Sequence, residues 1–136
     1  MPLDSTARAL PHAHTAIPWE RRRRRTIGVA DALRYALRSS ARRGHLKLVF
    51  VADDYGMIVS GSRRDLDLEP IAAVAPLVAR GRAKARVHHR GASLEMTVRT
   101  VRLDGERLHV AAVGGDPVAR RRELATAVCA AQRIMG

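Results

Sequence analysis

The chain has 136 residues, 46% of them hydrophobic, and its 25 lysines and arginines against 13 acidic residues give a net charge of +12. This length predicts one domain, and this apolar fraction supports a packed core, which excludes a wholly disordered chain. No apolar run approaches the roughly 20 residues of a membrane helix, and no secretory signal is recognised. A lone cysteine excludes an internal disulfide. We therefore expect a cytoplasmic protein.

The first residues predict a basic N-terminal tail, residues 1–25, ahead of a folded domain that spans residues 26–136. Prolines at positions 2, 11 and 18 interrupt any helix, and the segment ends in five consecutive arginines: Arg21, Arg22, Arg23, Arg24 and Arg25. Adjacent like charges repel one another and favour an extended, solvated arm. Such an arm either has no partner or meets an acidic protein surface, nucleic acid or anionic lipid, and the sequence leaves these alternatives open.

The first helix is predicted to begin at about Thr26, whose hydroxyl suits an N-cap. From there apolar residues recur at helical spacing as far as Ala41. Gly44 follows two arginines that suit the negative end of a helix. We therefore expect Gly44 to adopt the left-handed conformation that ends many helices.

Two short strands are predicted next. Residues 46–52 are almost continuously apolar and rich in β-branched side chains, which is typical of a strand covered on both faces. Residues 57–60 return as a second strand after the turn Asp53-Asp54-Tyr55-Gly56, in which the glycine supplies a positive φ. Adjacent aspartates also occur in metal sites, but no third ligand lies nearby, and we interpret them as turn residues.

A second helix is predicted over residues 68–80, with acidic residues at its start and Pro70 in its first turn. Pro76 lies inside it, where a proline removes a hydrogen bond and kinks the axis. Alanines fill most of the surface beside an apolar stripe formed by Ile71, Val74, Leu77 and Val78. A helix that is apolar nearly all round is buried on more than one side, and in a domain this small the pattern predicts a dimer interface.

The next segment predicts a hairpin with one basic face. Small, apolar or histidine side chains alternate there with Lys84, Arg86, His88 and Arg90, and alternate residues of a strand share a face. A two-residue turn at Gly91-Ala92 would place His88 opposite Glu95. We interpret Lys84, Arg86 and Arg90 as a surface that binds either an acidic patch of a protein partner or another anionic group, such as a phosphate backbone.

The following strand changes the parity of its apolar residues. Met96 and Val98 share one face, whereas Val101 and Leu103 belong to the other. An extra residue in the strand would restore the alternation. We therefore expect a β-bulge near Arg99–Thr100.

The chain ends with a hairpin turn, a strand and a helix. Asp104-Gly105 is a strong signal for a tight turn between the last two strands. Asp116-Pro117 predicts an N-cap followed by a proline at the first helical position. In this helix we expect Cys129 to be a small packed hydrophobe and Arg120, Arg121 and Arg122 to form a solvated basic face.

The sequence contains no signature of catalysis or of cofactor binding. It has neither a glycine-rich phosphate-binding loop nor a nucleophile elbow. His88 and His89 are adjacent on a predicted strand and point to opposite faces, so they cannot share one metal ion. We therefore assign no catalytic, cofactor-binding or metal-ligating residue and expect a protein that is not an enzyme.

The predicted order α-β-β-α-β-β-β-α describes an α+β domain with a five-stranded antiparallel sheet and helices on both faces, and this layout resembles the roadblock/profilin-like folds. Over residues 27–135 the chain resembles the roadblock/dynein light-chain family. The resemblance is carried by the apolar strand 46–52 with its Asp54-Tyr55-Gly56 turn, by the alanine-rich helix 68–80, and by the strand 108–113 that runs into Asp116-Pro117 and the last helix.

This resemblance implies a homodimer in which the second helices pair and the strands beginning near Lys84 pair. It also implies a non-catalytic platform, because many bacterial members regulate or scaffold small Ras-like GTPases, and others anchor motor or signalling complexes. The expected dimer interface is the apolar stripe of the second helix, with Ile71, Val74, Leu77 and Val78.

Two other classes of function stay open. A basic protein that binds nucleic acid or an anionic surface would use the arm Arg21–Arg25, although the chain has no helix-turn-helix signature and few aromatic side chains for stacking. A small-ligand sensor of the GAF or PAS type also packs helices on an antiparallel sheet, but it needs a pocket lined by convergent polar groups.

Overall fold

The computed structural model of the chain describes residues 29–65, 67–83 and 85–136. Its elements, numbered in chain order, are α1 Ala30–Gly44, β1 Leu48–Asp53, β2 Ile58–Gly61, α2 Glu69–Ala79, β3 Arg86–His89, β4 Ala92–Leu103, β5 Glu106–Val113 and α3 Pro117–Met135. This order confirms the predicted α+β arrangement. The predicted basic tail and the predicted N-cap Thr26 lie outside the described residues.

The five strands form one antiparallel sheet in the order β2-β1-β5-β4-β3, so that β2 and β3 are its edges. α2 packs on one face, over a core that includes Phe50 and Met96. α1 and α3 pack on the other face, over a core that includes Leu37 and Leu124. Helices on both faces are thus confirmed. β1 is buried at every residue, as its continuously apolar sequence predicts.

The predicted β-bulge near Arg99–Thr100 is wrong. β4 pairs with β5 in unbroken register from Met96 opposite Val113 to Leu103 opposite Glu106. The apolar residues change parity because the strand changes the core to which it contributes. Leu94, Met96 and Val98 pack under α2, whereas Val101 and Leu103 pack under α1 and α3. A regular strand can do this because different helices cover its two ends on opposite faces.

The turn between β3 and β4 lies one residue earlier than predicted. His89 faces Ala92, so the two central residues are Arg90 (φ 50°) and Gly91 (φ 78°). Positive φ at both positions is typical of a type I′ turn, which suits the twist of a hairpin. The register therefore places Arg86, and not His88, opposite Glu95.

The turn between β4 and β5 has the same form, and it was predicted correctly. Asp104 (φ 53°) and Gly105 (φ 76°) occupy its two central positions. Aspartate tolerates the left-handed conformation better than most residues, and glycine adopts it without strain.

The end of α1 differs from its prediction by one residue. Gly44 is the last helical residue, and the left-handed residue after it is His45, with φ 51°. Gly44 is needed there for space, because a Cβ atom at this position would lie 2.9 Å from Cγ of Glu123 on α3. The glycine thus allows two helices to approach, and His45 takes the strained conformation.

The two later helices begin with prolines in their first turns, as predicted. Asp116 caps α3, since its Oδ2 accepts hydrogen bonds from the backbone N–H groups of Val118 (3.0 Å) and Ala119 (3.1 Å). The prediction that Cys129 is packed is wrong, because its side chain is exposed. Val128 and Ala130 on either side of it are buried, and each step of one residue along a helix rotates the side chain by about 100°.

Candidate functional site

α2 carries apolar surface on the side away from the sheet. Its buried residues are small, namely Ala72, Ala75 and Pro76, whereas Leu77 is 43% exposed. Ala73 is also exposed. Apolar area left in water forfeits about 25 cal/mol per Å² that a partner surface would recover. The helix is therefore suited to contact another apolar surface.

The structure divides the four residues predicted for the dimer interface. Ile71 and Val78 are half-buried and pack partly against the core under α2. Val74 is half-buried and Leu77 is exposed, and neither belongs to that core. An interface on this helix would therefore centre on Val74 and Leu77, with the other two residues at its border.

β3 provides a second open surface beside the same sheet. Within the described residues it pairs with β4 alone, so the outer row of its backbone N–H and C=O groups has no neighbouring strand. Val87 is buried, and Arg86 and His88 are exposed. An edge strand of this kind is a template for pairing with another chain.

The structure describes two of the residues predicted as a basic partner-binding face, Arg86 and Arg90, and these two do not lie on the same strand. Arg86 lies on β3, where its guanidinium donates to Ser93 Oγ (3.3 Å) and to Glu95 Oε2 (3.4 Å). Arg90 is exposed but occupies the hairpin turn instead of a strand position. Lys84 and the arm Arg21–Arg25 lie outside the described residues.

A buried arginine attaches the β3–β4 hairpin to α3. Arg120 is 5% exposed, which overturns its predicted place on a solvated face. Its guanidinium donates to the carbonyl oxygens of Gly114 and Gly115 (3.0 Å each), to Thr97 Oγ1 (2.9 Å) and to Glu95 Oε1 (2.6 Å). A rigid guanidinium fork can satisfy this many acceptors at once.

Glu95 connects that arginine to the edge strand. One of its carboxylate oxygens accepts from Arg120 on α3 and the other accepts from Arg86 on β3. The carboxylate therefore holds the short edge strand in position relative to the body of the domain. The sequence offered one clue to this role, since Glu95 is the single acidic residue of an otherwise basic hairpin.

A second polar network ties the β1–β2 turn to the end of α2. Asp54 Oδ1 accepts a hydrogen bond from Arg80 Nη2 (2.7 Å) and lies 2.8 Å from His109 Nε2. The other ring nitrogen of His109 lies 2.9 Å from Thr100 Oγ1. Because a carboxylate only accepts, Nε2 of this buried histidine is the donor in the pair. The hydrogen bond from His109, with the charges of Arg80 and Arg107, lowers the pKa of Asp54.

This network completes the interpretation of the two adjacent aspartates. Asp53 Oδ1 accepts from the backbone N–H groups of Tyr55 (2.9 Å) and Met57 (3.0 Å), which is the turn role that was predicted. Asp54 does more, since it anchors the helix that carries the apolar surface. His109 was not identified from the sequence, because it occupies an ordinary position in an apolar strand. Within the described residues no three metal-ligating side chains cluster.

Comparison with known proteins identifies structures that share the fold of this chain. No protein-family model and no curated protein matches the chain. Solved structures do match: Myxococcus xanthus MglB has a TM-score of 0.52 and 16% identity over 79% of this chain and 90% of that chain. The gliding protein MglB from Thermus thermophilus has a TM-score of 0.52 and 16% identity, covering 78% of this chain and 90% of that chain.

A third structure, of MglB with a tetrameric arrangement, has a TM-score of 0.58 and 14% identity, covering 78% of this chain and 89% of that chain. At these identities the likeness establishes a shared fold, and it confirms the roadblock-like fold predicted from the sequence. Among the helices of the described part of the chain, none is long and apolar enough to cross a membrane.

Proposed function

We propose that the chain is a non-catalytic homodimeric platform that regulates or scaffolds a small Ras-like GTPase or a signalling or motility complex. The observation that carries the proposal is the combination of an exposed apolar helix surface at Leu77 with an open edge at β3. A single symmetric contact between two copies would cover both.

The proposed dimer joins the two sheets through their β3 strands. Antiparallel pairing of β3 with its copy would satisfy the outer backbone groups of both strands and continue the sheet across the two-fold axis. α2 packs across β1, β5 and β4 on one face of the sheet, and β4 adjoins β3, so the two copies of α2 would face each other on that same face. Val74 and Leu77 would then leave water.

Two lines of support lead from a dimer to a GTPase. The sequence resembles roadblock proteins, many of which act on small Ras-like GTPases, and the fold is that of MglB. One of the matching structures is described as tetrameric, so a protein with this fold does self-associate. The resemblance supplies no catalytic residue for this chain, and we propose binding and positioning as its action.

Sedimentation velocity tests the dimer. Leu77→Asp should convert a dimer at micromolar concentration to a monomer, because an unpaired charge in an apolar interface costs several kcal/mol. Since Leu77 is exposed in the protomer, the fold should survive the change. Val118→Asp is the matched control: Val118 is 62% exposed in the first turn of α3, where an acidic residue suits the helix dipole. A native chain that sediments as a monomer would refute the dimer.

Nucleotide-dependent binding tests the partner. Small Ras-like GTPases from the same genome, each loaded with GDP or with a non-hydrolysable GTP analogue, are titrated against the labelled full chain. One nucleotide state should bind better, because only a contact that differs between the states can sense the switch. Equal binding of both states, or no binding, would refute regulation of a GTPase. Sub-micromolar binding of duplex DNA without any partner, lost when residues 1–25 are deleted, would favour the nucleic-acid alternative.

A further inference from the structure

A row of arginines on α1 lines a cleft at the β2 side of the sheet. Arg34, Arg38 and Arg42 recur every fourth residue and therefore share one face of the helix. Two adjoining cavities of about 490 and 550 Å³ lie beside them and share Arg38, Ser62 and Arg63. We call the space that these two cavities form the arginine cleft.

The charge in this cleft is strongly unbalanced. Among the residues that the structure describes, one acidic side chain, Asp65, lines it together with six cationic ones: Arg34, Arg38, Arg42, Lys47, Arg63 and Arg64. Arg63 forms a bidentate hydrogen-bonded ion pair with Asp65, and these hydrogen bonds lower the pKa of the Asp65 carboxyl to about 2. Asp31, outside the lining, contacts Arg34 at 3.2 Å and Arg64 at 3.8 Å.

Three cationic side chains of the cleft have no counter-charge within the described residues: Arg38, Arg42 and Lys47. All three are exposed, and within the described ranges 29–65, 67–83 and 85–136 none of them has an ion pair. Neighbouring cations without counter-charges repel one another, and a bound anion relieves that repulsion. A guanidinium also offers two parallel donors to a carboxylate.

The spacing of the row selects an extended peptide as the anion. Residues four apart on a helix are separated by about 6 Å along its axis. Alternate residues of an extended peptide are separated by about 6.6 Å and point to the same side. Carboxylates at every second position of such a peptide would therefore meet successive arginines of the row.

The lining also disfavours a nucleic acid. Single-stranded nucleic acid is held by aromatic side chains on which bases stack, and the described residues that line the cleft include none. Apolar contact comes instead from Ala41 and Leu46, which suit the small side chains between the acidic ones. We propose that the arginine cleft docks an extended acidic segment of a protein partner.

This surface is separate from the proposed dimer contact. The cleft is lined by α1, by the residues between α1 and β1 and by residues directly after β2, whereas β3 is the opposite edge of the sheet and α2 lies on the opposite face. A dimer would therefore leave the cleft accessible. Failure of either proposal leaves the other standing.

Fluorescence anisotropy with a labelled acidic peptide tests the proposal. The peptide has about six residues in which glutamate alternates with serine, and this length is enough to span the arginine row of about 12 Å. The full chain should bind it in a salt-sensitive way. Arg38→Glu/Arg42→Glu should weaken binding by about tenfold or more, since each reversal replaces an attraction of several tenths of a kcal/mol with a repulsion. Arg99→Glu/Arg102→Glu changes the charge equally on β4, away from the cleft, and should alter affinity by less than about twofold.

Two outcomes would overturn the proposal. Equal weakening by both double variants would mean that the peptide responds only to the net charge of the chain. Tighter binding of single-stranded DNA than of the peptide, lost in the α1 variant alone, would assign the cleft to nucleic acid. A second peptide with its glutamates in one block measures the spacing argument, and it should bind more weakly than the alternating one. Circular dichroism of both variants confirms that they are folded.

Discussion

Replacing Arg120 with methionine should destabilise the protein substantially. The substitution retains a long, unbranched side chain but removes the guanidinium group. The guanidinium is almost completely buried and satisfies four acceptor groups. Methionine fills the space flexibly, so the loss measures the polar network and not a cavity. The variant thus tests whether this network holds the hairpin to α3.

The size of this loss of stability depends on which of the former acceptor groups can form a hydrogen bond to water in the variant. Gly114 is buried, and its carbonyl oxygen would lose its partner at a cost of about 1–3 kcal/mol. The side chain of Glu95 is 47% exposed and would rehydrate, so its pair contributes about 1 kcal/mol or less. Gly115 is exposed and rehydrates as well. Together these values give a loss of about 1–4 kcal/mol in the free energy of unfolding.

Urea denaturation at a fixed protomer concentration measures this loss. Arg121→Met is the matched control, because Arg121 is the exposed next residue of the same helix, and it should change stability by less than about 0.5 kcal/mol. Glu95→Gln should cost about 1 kcal/mol or less, since the arginine keeps its other acceptors. If Arg120→Met and Arg121→Met have the same effect, the buried network contributes nothing and the reasoning is refuted.

Three further predictions concern the turn at Asp54, the glycine beside α2 and the arm. The folded state lowers the pKa of Asp54 from 3.8, so its carboxylate stabilises the fold above that pH. In urea titrations the native chain should therefore have a higher free energy of unfolding than Asp54→Asn, and this difference should disappear as pH falls below about 4. Gly56→Ala should lower the thermal midpoint more than Gly91→Ala: both glycines have positive φ, but only the first would place a Cβ 2.8 Å from Cα of Ala73. Deleting residues 1–25 should weaken partner binding modestly and leave the sedimentation coefficient that of a dimer, because a run of basic residues adds electrostatic attraction more than specificity; a monomer would contradict this.

Much of the fold was predictable because its signals are local. The turn at Asp104-Gly105 and the cap at Asp116 depend on the backbone preferences of two or three neighbouring residues. The doubly buried strand β1 depends on its own unbroken apolar run. Each of these predictions was confirmed, and together they fix the order of elements. The bulge at Arg99–Thr100 failed because a change of parity has two solutions, and only the positions of the helices over the sheet distinguish them.

The order of helices and strands, the apolar surface of α2 and the basic character of the chain were determined by the sequence alone, since each follows from residue types at short spacing. The surfaces and networks were decided only by the tertiary structure. Arg120 and Glu95 lie 25 positions apart in the chain, and Asp54 and His109 lie 55 apart. Whether an arginine is solvated or buried depends on which distant acceptors the fold brings within about 3 Å, and no local pattern encodes that distance.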